Sequence, residues 1–208
     1  FCNIWVDSKK MNLFIKSILI LIFIFLSGCE NKEYVKDFKI EEIAVGESLL
    51  NYFSKEDILS LTRKKDIMGN PIDLTDRVYI DAQFDNYQFE TYDSLQIYYK
   101  IGDENFIIQG IGGAIWFNKD NKKCNEKYYE VKAVLEEQFK SPTKEEYLDD
   151  KDFREGMGTT TQNIMYFDFG DGSSIDIKCK DFDNELLNTE DYFQTTIMSN
   201  EINEWLNG

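Results

Sequence analysis

Four cysteines, Cys2, Cys29, Cys124 and Cys179, are the most nucleophilic side chains in this chain of 208 residues, and it has no histidine to activate them. Without histidine there is no Ser-His-Asp or Cys-His nucleophile system, no histidine-ligated zinc and no haem on a proximal histidine. Acid–base chemistry falls to carboxylates, 39 of them against 23 lysines and arginines. In "KDFDNE", Asp181, Asp183 and Glu185 alternate as calcium ligands do, yet Leu186 fills the place of the glycine on which such a loop turns. A solvated acidic turn accounts for them. "DFG", Asp168 to Gly170, evokes a kinase, but a chain without histidine has no H-R-D loop. Gly110, Gly112 and Gly113 lack the last glycine of a dinucleotide fingerprint and sit among strand-forming residues, where glycine marks a bulge or a close helix-to-sheet approach. Tyr79, Tyr98, Tyr128 and Tyr129 are candidates to line a sugar or peptide groove, although sheet and core packing account for most aromatic residues. No carboxylate pair of the glycosidase kind stands out. The expectation is a protein without catalytic residues, metal or cofactor.

Cys29 has a more specific chemistry. Ile18 to Leu26 is an unbroken apolar run of nine residues, with Lys16 and Met11 before it. The layout is a basic region, an apolar region and a small-residue processing site, and the run is far short of the roughly 20 residues that span a bilayer. Leu26-Ser27-Gly28-Cys29 resembles the lipobox of bacterial lipoproteins at every position. That resemblance implies diacylglyceryl transfer to the Cys29 thiol, cleavage before it and acylation of the new amino group. Several acyl chains, at about 0.8 kcal/mol per buried methylene, make a stable anchor. Glu30, rather than aspartate, follows the cysteine. By analogy with enterobacterial lipoproteins this points to the periplasmic leaflet of the outer membrane, with the inner membrane as the alternative. Residues 1–10 read as upstream reading frame, 11–28 as signal peptide, 29–44 as a charged tether and 45–208 as a single domain.

The net charge of −16 becomes more negative still once residues 1–28 are removed. Such a surface repels phosphate backbones, so nucleic acid is not an expected partner. Roughly 180 residues are enough for one core. Cys124 and Cys179 then remain as a pair in an oxidising compartment. Cys124, Tyr128, Val131, Leu135 and Phe139 fall at helical spacing, which puts Cys124 on the buried stripe. In "SSIDIKCKDF", Ile175, Ile177 and Cys179 alternate with charged residues, so Cys179 also points inward. A helix lying across a sheet would bring both sulfurs into one layer as a disulfide. Two free buried thiols are the alternative, and a redox-active pair lacks the Cys-x-x-Cys spacing.

The elements that position these groups follow from patterning. "VGESLLNYF" and "SKEDILSLTRKK" read as two short helices, the second capped at Ser54. Strands follow at Val78 to Phe84, Leu95 to Ile101 and Phe106 to Phe117, then the helix of Asp120 to Lys140. Thr143 to Gly158 reads as a polar loop. Asn163 to Phe169 and Ser173 to Phe182 flank a "GDG" hairpin signal, Thr189 to Met198 is a last strand, and a short helix with Trp205 closes the chain. The expected fold is α+β: a mostly antiparallel sheet of five to six strands, one long helix across a face, and short N- and C-terminal helices.

From about Ile43 to Trp205 the chain resembles a family of small exported bacterial proteins to which no activity is assigned. "GESLLNYFSKEDI", "YDSLQIYYK" running into "IQGIGGAIWF", the Cys124 helix and "SIDIKCKDF" carry the resemblance. Gly46-Glu47-Ser48 replaces the family's Gly-Asp-Ser, and Phe182 stands where tryptophan is usual. The resemblance implies the same topology and the Cys124–Cys179 pairing. Together these readings make the expected protein a lipid-anchored, non-enzymatic accessory module working through an envelope protein partner. A lipoprotein that captures a cation, peptide or glycan is the alternative, and a histidine-free hydrolase a third reading.

Overall fold

The computed structural model describes residues 35, 38–65, 69–75, 77–85, 87–154, 158–182 and 190–207. Cys2, the lipobox with Cys29, and Asp183 and Glu185 lie outside the described residues.

The domain starts before Val45. Lys39–Ile40 (β1) and Ile43–Ala44 (β2) form a small antiparallel hairpin, so this end of the expected tether is folded. Its apolar residues explain why: Val35, Ile40 and Ile43 are buried in the main core, and that burial offsets the entropy of ordering the segment. Glu41 and Glu42, at the tip, have left-handed φ of 53° and 65°. The Glu41 carboxylate accepts backbone N–H bonds from Glu90 (2.9 Å), Thr91 (2.6 Å) and Tyr92 (2.9 Å), which fastens the hairpin to a distant loop.

The first of the two expected helices reduces to a 3-10 turn at Leu49–Asn51. Ser54 is extended (φ −69°, ψ 151°) because its side chain caps the next helix, Lys55–Leu61 (α1), and an extended residue there ends anything helical before it.

Seven strands make the main sheet, more than the five to six expected: Tyr79–Phe84 (β3), Ser94–Lys100 (β4), Ile108–Trp116 (β5), Thr143–Arg154 (β6), Gly158–Asp168 (β7), Ser174–Phe182 (β8) and Tyr192–Met198 (β9). The order is β3-β4-β5-β9-β8-β7-β6, antiparallel throughout, with the last strand of the chain at the centre. The additional strand is β6, which patterning assigns to a loop. It is an edge strand exposed along Glu145 to Lys151, so no buried face imposes alternation on its sequence. The Gly170-Asp171-Gly172 turn joins β7 to β8 as expected, with Gly172 at φ 84°.

Asn121–Gln138 (α2), capped by Asp120, lies against β8 and β9. Its buried residues are Cys124, Tyr128 and Leu135, the expected stripe. The Cys124 and Cys179 sulfurs are 2.07 Å apart and their Cα atoms 5.7 Å apart, which joins the first turn of α2 to β8. Asn200–Asn207 (α3) follows β9 directly, burying Ile202 and setting Trp205 on the Tyr79 ring at 5.5 Å. Among the described residues, no helix is long and apolar enough to cross a membrane.

Candidate functional site

Residues opposite one another in an antiparallel ladder share a face. One face carries Ile80, Ala82, Leu95, Ile97, Ile111, Ile197, Ile175, Ile177 and Phe167, and it forms the core with α2, α1 and the β1–β2 hairpin. The other face is polar and aromatic. One row crosses all seven strands as Thr143, Asp168, Ser174, Met198, Gly110, Tyr98 and Asp81. The next runs Glu145, Tyr166, Asp176, Thr196, Gly112, Gln96 and Gln83. Beyond it lie Lys178, Gln194 and Ala114, and then Lys180, Tyr192 and Trp116.

The glycines shape this surface. A Cβ on Gly110 would sit 2.6 Å from Met198 Sδ and 3.4 Å from Tyr98 Cδ2, so these side chains lie down over bare backbone. A Cβ on Gly112 would meet Gln194 Nε2 at 3.0 Å. On the core face Gly113 does the same for Tyr92, whose ring lies 2.6 Å from that position and whose hydroxyl reaches Thr195 Oγ1 at 3.3 Å. The close neighbours are side chains of adjoining strands and Tyr92 rather than a helix, and the register shift between Tyr98 and Tyr99, opposite Gly110, supplies the expected bulge.

α3 overhangs one end of the open face and encloses a cleft of about 510 Å³ whose walls include Glu145, Tyr166, Asp168, Asp176, Met198 and Asn203. Asp176 Oδ2 is shut off from solvent without a hydrogen-bond donor, and Lys178 Nζ stands 3.9 Å from it. Burial raises the Asp176 carboxyl above the usual aspartate range, against the lowering by Lys178. The Thr196 hydroxyl, opposite Asp176 in the ladder, acts with Lys178 to lower the carboxyl. Asp168 is raised by burial and then by the charge of Glu145. Burial pushes Tyr98 up to about 12, with the Asp81 charge adding to it. Asp81 itself is fully engaged: Arg63 reaches its Oδ1 through Nε (3.1 Å) and Nη2 (2.9 Å), and Gln96 Nε2 donates to Oδ2 at 2.9 Å. At the opposite end, Trp116, 40% exposed, meets the Tyr192 ring at 5.2 Å, and Phe182 meets Tyr192 at 5.8 Å.

The arrangement offers hydrogen-bonding amides, hydroxyls and carboxylates beside aromatic rings, the mixture that orients a bound partner. Among the described residues no three metal-ligating side chains converge.

Of the residues singled out from sequence, Cys124 and Cys179 come together. The four tyrosines do not. Tyr79 and Tyr98 stand on the open face, Tyr128 is buried beneath α2 on the other, and Tyr129 is exposed on the helix. Asp181 accepts a hydrogen bond from Asn121 Nδ2, and Asp168 to Gly170 lie at the β7–β8 turn. Sequence reading missed the enclosure of Asp176. Its alternation with Ile175 and Ile177 marks it as outward-facing, and only the return of α3 over that face covers it. The sole signal was the amphipathic "NEINEWLNG" directly after β9.

Comparison with protein-family models, curated proteins and solved structures gives no match to this chain.

Proposed function

We propose that this is a lipid-anchored, non-enzymatic envelope module that binds another protein across the open face of its sheet. One observation carries the reading: a seven-stranded sheet has one face filled by helices while the other presents Trp116, Tyr192, Gln194, Tyr98 and Tyr166 in ordered rows, covered at one end only. Trp116 is exposed and the tyrosines partly buried; aromatics and planar amides beside charged residues are the composition of protein interfaces. The Leu26-Ser27-Gly28-Cys29 motif supports the anchor, which would hold the domain at the periplasmic leaflet of the outer membrane. The cleft beneath α3 favours a second reading, capture of a small ligand.

The test is in-cell photocrosslinking from position 194, with position 134 on the exposed side of α2 as control, in the native and Cys29→Ala backgrounds. One dominant adduct from position 194, absent from position 134 and lost without the anchor, is the expected result. Equal labelling from both positions, or none from either, refutes the docking face. Failure of Cys29 to incorporate labelled fatty acid refutes the anchor.

A further inference from the structure

An open sheet offers its edges as well as its face, because an edge strand presents a row of unpaired N–H and C=O groups. The two edges of this sheet differ. At β3 the chain covers itself: Thr62 bridges Ala82, and Arg63 N–H donates to the Asp81 carbonyl at 2.9 Å. At β6, among the described residues, the backbone pairs with β7 and with nothing on its outer side. Glu145 to Lys151 are exposed, Tyr147 and Leu148 by about half.

The ladder within β6 has a defined working length. Tyr147 pairs with Ile164 and Asp150 with Gln162, which leaves Leu148 and Asp149 bulged out, Asp149 at φ 52° with its N–H on Asn163 Oδ1. Bulges of this kind end pairing and protect edges. The regular, accessible stretch is therefore Thr143–Tyr147.

Charge selects what fits there. On the core side, Lys144 lies over the Phe167 ring at 5.6 Å, and Glu146 is held by Tyr128 (2.9 Å) and Lys132 (2.5 Å). On the open side the carboxylate within Thr143–Tyr147 is Glu145, with Asp150 past the bulge and Asp168 one strand further in, beside Thr143. No lysine or arginine of β6 or β7 stands on that side between Thr143 and Asp150. Like charges facing each other across strands are destabilising, so the β6 of a second copy is repelled while a basic strand is attracted.

We propose that Thr143–Tyr147 is a strand-addition site, accepting an extended segment of a partner protein that carries Lys or Arg at alternate positions. This rests on the reading of the protein as a partner-binding module, and it names how that partner is held. Main-chain hydrogen bonds supply the grip and the alternate basic side chains the selectivity.

The test uses the purified lipoprotein in detergent with two labelled seven-residue peptides, Lys-Thr-Lys-Val-Lys-Thr-Lys and its counterpart with Glu for every Lys. The basic peptide is expected to bind at least about tenfold more tightly in low salt, with the advantage shrinking as salt rises. Hydrogen exchange should slow at the outward amides of Thr143–Tyr147, and Glu145→Lys should abolish that protection by the basic peptide and most of the preference. Equal binding of both peptides overturns the proposal. So does basic-peptide binding that leaves those amides unprotected, since that is general attraction to an acidic surface. Concentration-dependent protection of the same amides in the free protein also overturns it, in favour of self-pairing. In cells, a partner captured from position 194 but never from position 148 would defeat the strand-addition site while leaving the docking face standing.

Discussion

Removing the Cys124–Cys179 bridge should cost about 4 kcal/mol. The bridged residues are 55 apart in sequence. Closing a loop of that length removes roughly 14 cal/mol/K from the unfolded chain in the entropy model, which is about 4 kcal/mol at 25 °C. In a domain of this size each kcal/mol moves the melting midpoint by roughly 2 to 4 °C, so a fall of about 8 to 16 °C is expected. Alanine is the replacement to use at both positions, because both side chains are buried and serine would bury an unpaired hydroxyl. The assay is urea and thermal unfolding followed by circular dichroism, with and without reductant. Wild type should lose stability on reduction and the Cys124→Ala, Cys179→Ala protein should not respond. Amide exchange should quicken first in residues 121–127, the end of α2 that the bridge pins to β8. A wild-type midpoint indifferent to reductant, or a double variant within about 1 kcal/mol of wild type, would refute the reasoning.

Two further outcomes test other features. The folded pKa of Asp176 is raised above its ordinary 3.8, so its charge costs stability at neutral pH and that cost is relieved as pH falls through the folded pKa towards 3.8. Asp176→Asn should therefore stabilise the protein by about 1 to 3 kcal/mol at pH 7, with the gain fading in acid; a destabilised variant at pH 7 would show that the carboxylate has partners that matter. Glu41→Ala should cost about 1 to 2 kcal/mol in chemical denaturation by leaving three N–H groups of residues 90–92 to water, and Glu41→Gln should recover part of it. A Glu41→Ala protein as stable as wild type would mean that water replaces the carboxylate without loss.

Sequence legibility followed burial. α2, β4, β8 and the cysteine pair were readable because each buries one stripe and exposes the other, so period and solvent agree. β6 was not. Glu145 to Lys151 are exposed and the core side of the strand carries the charged Lys144 and Glu146, so its polarity resembles a loop. "VGESLLNYF" misled in the opposite sense: helical spacing was present, but Ser54 had to be extended to cap α1. Lys39–Ala44 passed for tether because a two-residue hairpin is too short to show a period. The open face of the sheet was half legible. Alternation put Tyr98, Asp176 and Lys178 outside the core, whereas the rows they form depend on strand order, which no local pattern encodes.

That strand order bears on how the protein is made. Among the described strands β9 comes latest in sequence, and in the sheet it joins β3-β4-β5 to β8-β7-β6. Until it arrives, β5 and β8 are raw borders of two separate three-stranded pieces, each with an apolar surface in search of cover. β9 therefore stands in this sheet as a keystone does in an arch. A nascent chain has to shelter both halves until then, with pairings of large sequence separation formed late and slowly.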